Sequence, residues 1–227
     1  MFFDPTYILV IIGAVICMIA SANVKSTYNK YSKVRASSGI TAEEMAYRML
    51  QDAGIYDVSI QRIGGDLTDH YSPGEKVLRL SDTVYGSSSV AALGVACHEA
   101  GHAIQHKEGY APLKLRSLSV PIANFGSFLS WPLIVLGLIL GSMNLARVGV
   151  FLFAFVVVFQ LITLPVEFDA SRRALLVLER DNILWNEEMT GAKKVLRAAA
   201  LTYVASLFSS VLQLLRLFLL TQRRDRD

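Results

Sequence analysis

Residues 90–108 read VAALGVACHEAGHAIQHKE, with Ser88 and Ser89 before them and Gly109 behind. A serine at that place can cap a helix N-terminus, and a glycine just past the last periodic residue ends one, so the stretch predicts a single helix. Inside it, His98-Glu99-Ala100-Gly101-His102 is an HExxH sequence. Residues four apart on a helix stand one above the other, so both imidazoles project from one face and can share one ion. Neutral imidazoles suit Zn²⁺, and a coordination place left open to water brings that water's pKa to about 7. Glu99, one residue round the helix, can then take the proton and later hand it to a leaving amine. A surface helix holding two histidines and a glutamate by chance is the plain alternative. Against it stand the apolar and small neighbours, among which unpartnered imidazoles would be costly.

Upstream of this helix, Thr41-Ala-Glu-Glu44 has capping-box spacing and opens a periodic run, MAYRMLQDA, that stops before Gly54. VSIQRI and KVLRLS are apolar runs of strand length parted by Gly64, Gly65, Pro73 and Gly74, expected to pair as a hairpin or as neighbouring strands. Residues 23–120 are long enough for a small domain, beginning with a helical extension, VKSTYNKYSKVR, of the run before it.

The rest of the chain is too oily for a soluble protein of 227 residues: 53% of it is apolar and the mean hydropathy is +0.42. From Pro5 to Ala22 there are 18 residues without a charge, about enough for a hydrocarbon core of roughly 30 Å. The start lacks the basic residues of a secretory signal, with Asp4 in their place, so residues 1–22 read as an uncleaved transmembrane helix. Residues 121–166 read as a transmembrane hairpin, Pro121 to Leu140 and Ala146 to Val166, turning at Gly141, Ser142 and Asn144. Residues 167–197 form a second polar segment, helical at its start. Residues 198–220 are a fourth hydrophobic helix, transmembrane or interfacial. Thr202, Ser206, Ser209, Gln213 and Arg216 run down one face of it, a stripe that lipid would not tolerate and that other helices must cover. Residues 221–227 are a charged tail. A formal charge of +3, with the basic residues interspersed among carboxylates, offers no patch for a phosphate backbone, so no nucleic acid is expected as a partner. Cys17 and Cys97 imply no disulfide framework.

Catalytic zinc needs a third protein ligand. His106 continues the row of His98 and His102, but eight residues turn a helix by about 800°, roughly 80° past two full turns, too wide a spread for one ion. A histidine beyond a glycine turn is the metzincin pattern, and position 105 is Gln105 instead. Glu167 directly follows the third span, and two crossings after His102 bring the chain back to the same side of a membrane. As an acidic residue marking a span end, followed by Arg172 and Arg173, it also has a simpler reading.

HEAGH, a membrane hairpin and then PVEFDASRRA resemble the YugP-like membrane zinc metallopeptidases, similar in plan to the membrane gluzincins that include HtpX and the CAAX prenyl proteases. LTDHYSPGEKVLRLS and AAALTYVA extend the likeness from about residue 25 to about residue 215. The resemblance implies zinc on His98, His102 and Glu167 with Glu99 as base, in a bacterial cell membrane. Related gluzincins run ExxAD, where the aspartate supports a zinc histidine. Here Ser171 stands at that place, four residues from Glu167 on the same helical face, where its hydroxyl could accept an imidazole N–H. Asp169 falls on a different face and is not expected to substitute. KVLRLS resembles the edge strand along which gluzincins align a peptide. His70 is a candidate for oxyanion stabilisation or for a structural hydrogen bond.

The expected fold is mainly α and integral to a membrane, with transmembrane helices and a small zincin-like α+β catalytic domain built from residues 23–120 and 167–197. The expected partners are a polypeptide substrate and the lipid bilayer. Eleven Lys and Arg between residues 23 and 119, against none in Met1 to Asp4, place the site on the cytoplasmic face. Two other classes compete: a catalytically idle zinc-binding membrane scaffold acting through partner proteins, which would have no use for Glu99, and a zinc transporter, which would carry its ligands inside its spans.

Overall fold

The computed structural model describes residues 4–223, so Met1 to Phe3 and the last four residues of the charged tail lie outside the described residues. The described chain is mainly helical. In order it runs α1 (Tyr7–Tyr31), α2 (Ala42–Asp52), β1 (Ser59–Ile63), β2 (His70–Ser72), β3 (Val77–Ser81), α3 (Val90–Glu108), α4 (Ala111–Ile139), α5 (Met143–Arg180) and α6 (Asn186–Arg223). Four helices, α1, α4, α5 and α6, are long and apolar enough to cross a membrane. Each exceeds the roughly 20 residues a crossing needs, because each continues without a break into a more polar stretch.

The chain divides into two compact units. One takes the chain up to Ser21, Leu115–Leu164, and from Leu201 onward. It is a helical bundle drawn from α1, α4, α5 and α6. Its α4–α5 contact is close because a Cβ on Gly149 would meet the Ser130 carbonyl at 2.7 Å. No larger residue fits without a shift.

The other unit is Ala22–Lys114 with Pro165–Ala200. Its core joins α2, α3 and β3 to the parts of α5 and α6 that belong to it, through Met45, Met49, Leu78, Leu93, Leu178 and Leu196 among others. Helix α2 buries Ala42, Met45, Ala46, Met49 and Leu50, the one-sided stripe of an amphipathic helix. At its start the Glu44 carboxylate accepts the Thr41 N–H at 3.0 Å, the half of the capping box that closes.

The sheet has the order β1-β3-β2. VSIQRI and KVLRLS are neighbours as expected, but they run parallel, Ser59 opposite Val77 through Ile63 opposite Ser81. A hairpin is therefore excluded for that pair. The hairpin is formed instead by β2 and β3, antiparallel, with His70 opposite Arg79. KVLRLS is thus the central strand rather than the edge strand expected. Its Leu78 and Leu80 are fully buried, which suits a strand flanked on both sides.

Helix α3 starts where the sequence suggests: the Ser89 hydroxyl accepts the Ala92 N–H at 3.2 Å, and Gly109 ends it in the left-handed conformation with φ 64°. Its first turn is pinned to the segment after α1, through Ala36 N–H to Ser88 O at 2.9 Å and Val90 N–H to Val34 O at 2.9 Å. Gly101 sets its packing on α5. A Cβ there would lie 2.9 Å from the Ala170 carbonyl oxygen and 3.3 Å from the Ala170 Cα. Backbone therefore rests on backbone, and the α5 residues on either side of Ala170 come level with the histidines.

Candidate metal centre

The His98 Nε2 lies 3.3 Å from Glu167 Oε2, and the His102 Nε2 lies 3.7 Å from the same oxygen. One ligand atom from each residue falls within 4.8 Å of the other two. The imidazoles meet edge to face, with centroids 4.7 Å apart. Glu167 is only 3% exposed, so its charge is taken from water and needs a counter-charge. Two nitrogens and a carboxylate oxygen form a recurring catalytic zinc set, and donors about 2.0–2.2 Å from a tetrahedral ion stand roughly 3.3–3.5 Å apart. The two nitrogen-to-oxygen separations, 3.3 and 3.7 Å, lie close to that spacing.

The outward nitrogens are also occupied. Ser171 Oγ is 3.1 Å from His98 Nδ1, in the place where the sequence suggested an acceptor. Gln105 Oε1 accepts from His102 Nδ1 at 3.0 Å. An amide oxygen only accepts, so the His102 proton sits on Nδ1 and the Nε2 lone pair points to Glu167. The amide cannot be reversed, because Gln105 Nε2 donates to Val166 O at 2.9 Å and to Asp169 Oδ2 at 2.9 Å, both acceptors. Asp169 in turn accepts from Arg172 Nη2 and Arg173 Nε, each at 2.6 Å. Arg173 also pairs with Glu108 at 2.7 Å. Asp169 does not touch an imidazole, yet it belongs to the support of one. The sequence reading set it aside, because its helical position turns it from His98 and nothing local shows that Gln105 bridges the gap.

Burial lowers the proton affinity of His102, but the Glu167 carboxylate facing the ring and the charge of Glu99 outweigh it and raise its pKa. The same negative field favours a bound divalent cation. Glu99 is half-buried, and its carboxylate makes no hydrogen bond with any of the described residues. Its charge reaches Asp69, just before β2. Burial chiefly, with Glu99 adding to it, holds the Asp69 carboxyl above the usual range, against hydrogen bonds from Ser81. Asp69 accepts Ser81 N–H at 2.7 Å and Ser81 Oγ–H at 2.9 Å, tying β2 to the end of β3.

His106 stands apart from the three clustered ligand atoms. It is exposed, with its Nδ1 2.9 Å from the Tyr71 hydroxyl. His70 makes local contacts, Nδ1 to Thr68 O at 2.9 Å and Nε2 to Arg79 Nη1 at 3.4 Å.

Residues 6–222 match the family model described as "Putative neutral zinc metallopeptidase". Over 208 residues the chain is 49% identical to the "Putative membrane protease YugP" of Bacillus subtilis (strain 168), covering 92% of each chain. No solved structure matches.

Proposed function

The chain belongs to the neutral zinc metallopeptidase family, and from that membership we propose that it is a membrane-embedded, zinc-dependent endopeptidase of the gluzincin type, acting on membrane or membrane-proximal polypeptides. His98 Nε2, His102 Nε2 and Glu167 would hold the ion. The observation that carries the reading is the two-sided order of the imidazoles: both Nε2 atoms converge on Glu167 while both Nδ1 atoms are engaged by Ser171 and Gln105. A histidine pair arranged by chance on a surface would have no reason to be held on both edges.

Bound zinc would supply Lewis acidity toward the scissile carbonyl and acidify the attacking water. Glu99, beside His98 and free of hydrogen bonds to the described residues, takes the water's proton and passes it to the departing amine nitrogen. Gln105 holds His102 to one tautomer and the Ser171 hydroxyl anchors the outer edge of His98, so the rings need little reorientation to ligate. The outer edge of β2 is unpaired among the described residues. An extended substrate would add there as a further strand, its backbone amides and carbonyls giving affinity with little demand on side-chain identity. The basic residues 25–35 after the first span support a cytoplasmic side for this chemistry.

The experiment is zinc content and cleavage of a quenched, unstructured polypeptide by wild type beside Glu99→Gln. Zinc retained with cleavage lost is the expected result. Cleavage retained would overturn the mechanism, and a wild type without zinc would overturn the site.

A further inference from the structure

Helix α6 carries polar side chains into a unit built of membrane-length helices, and four of them, Ser209, Ser210, Gln213 and Arg216, line one cavity of about 380 Å³. Tyr7 of α1 and Trp131 of α4 also line it, and both rings are about half exposed. The cavity therefore opens outward rather than lying sealed in the bundle.

The polar groups are only partly satisfied by the protein. Arg216 Nη2 donates to Asp4 Oδ2 at 3.3 Å, and its guanidinium lies 4.1 Å over the Tyr7 ring. Its Nε is buried with no partner, and its Nη1 has none among the described residues. Asp4 has little capacity left, since its two oxygens also accept from Thr6 N–H at 3.1 Å and from the Thr6 hydroxyl at 2.7 and 2.8 Å. Neither the Ser209 and Ser210 hydroxyls nor the Gln213 amide hydrogen-bonds to a described side chain or backbone group. In hydrocarbon every such group seeks a partner, and an ionisable residue within a membrane unit marks a binding function by default.

What remains unsatisfied is mostly donor capacity: guanidinium N–H groups, two hydroxyls and an amide NH₂. The complement is a compact group rich in acceptor oxygens, and a guanidinium prefers one that is anionic. Tyr7 opens the first span and Arg216 lies near the end of the last, the level at which a bilayer places its headgroups and a Tyr ring is favoured, and the volume is that of a small-molecule site rather than of two acyl chains. We propose that this cavity binds the phosphate of a phospholipid headgroup, with Arg216, Gln213 and Ser210 as donors, with Tyr7 beside the headgroup and with Trp131 deeper in the cavity wall. The site is independent of the peptidase reading, since it uses no residue of the metal centre.

The test uses the full chain in detergent, delipidated and then supplied with phosphatidylglycerol, with diacylglycerol of the same chains, or with inorganic phosphate, and read by native mass spectrometry and thermal melting. Wild type is expected to hold a single phosphatidylglycerol and to melt at a higher temperature with it, while diacylglycerol does neither. Gln213→Leu and Ser210→Leu, which spare the Asp4 ion pair, are expected to weaken binding about tenfold or more. Inorganic phosphate binding as well as the lipid would overturn the headgroup as the source, and equal retention of diacylglycerol would overturn the phosphate chemistry. Unchanged binding in both variants would place the lipid elsewhere. Should the variants fail to fold, the wild-type comparison of phosphatidylglycerol with diacylglycerol decides alone.

Discussion

Gln105 Nε2 donates to Asp169 at 2.9 Å, and through that one amide a carboxylate held by two arginines reaches the outer nitrogen of His102. Gln105 is fully buried and makes three hydrogen bonds, to His102, Val166 and Asp169. Gln105→Leu keeps the volume and deletes all three. It leaves a buried N–H, a carbonyl and a carboxylate short of a partner.

Zinc affinity in Gln105→Leu is expected to fall by about 10–100-fold, the range seen when such supporting groups are removed. Ser171→Ala should fall less, because His98 is more exposed and water can replace the hydroxyl. Competition with a chelator measures both, and a larger loss in Ser171→Ala would reverse the assigned ranking.

Glu99→Gln should bind zinc and melt as wild type does, with cleavage down by several orders of magnitude, since it removes the base and spares every ligand. Metal analysis and the quenched-peptide rate check it on one preparation.

Glu167→Ala should lose zinc sharply, whereas His106→Ala should keep it. The first removes one of the three converging donors; the second only frees the Tyr71 hydroxyl. The opposite pattern would move the site onto the histidine row of α3 alone.

Gly101→Ala adds a methyl 2.9 Å from the Ala170 carbonyl. The contact is backbone, so the helices must part, and a cost of about 1–3 kcal/mol in stability is expected. Because Glu167 and Ser171 ride on the displaced helix, zinc affinity should drop along with the melting temperature. Glu99→Gln should show neither change.

Cysteine accessibility in intact cells tests the orientation. On the proposed orientation a probe at Lys33 should be protected and one at Asn144 labelled, following the basic residues after the first span. The inverse labelling would refute a cytoplasmic site.

Much of the proposed site is legible in the sequence because it depends on helical periodicity. His98 and His102 are four apart, Glu167 and Ser171 are four apart, and both pairs lie on segments whose helical nature is plain from capping residues or apolar length. Gln105 carries no such signal, because a glutamine three residues from a histidine is ordinary on a helix until its burial is known. Asp69 was equally silent: its role depends on Ser81 across the strand pair, and the alternation of a strand does not name its neighbour. The same ignorance put KVLRLS at the sheet edge. Its two flanks are read from hydrogen bonds, and a run of apolar residues is compatible with one flank or two.

The first two proposed ligands and the third are separated in order of synthesis. His98 and His102 emerge from the ribosome on α3, but Glu167 follows only after α4 and most of α5 have been made, and Gly101 must then meet Ala170 before the donors converge. A ribosome stalled anywhere between positions 102 and 167 therefore carries the HExxH helix without the carboxylate that completes its donor set. On the proposed ligand set the donors come together late in biogenesis, after α1, α4 and most of α5 have been translated but before α6, and a fragment ending ahead of Glu167 is expected to lack zinc-dependent hydrolysis.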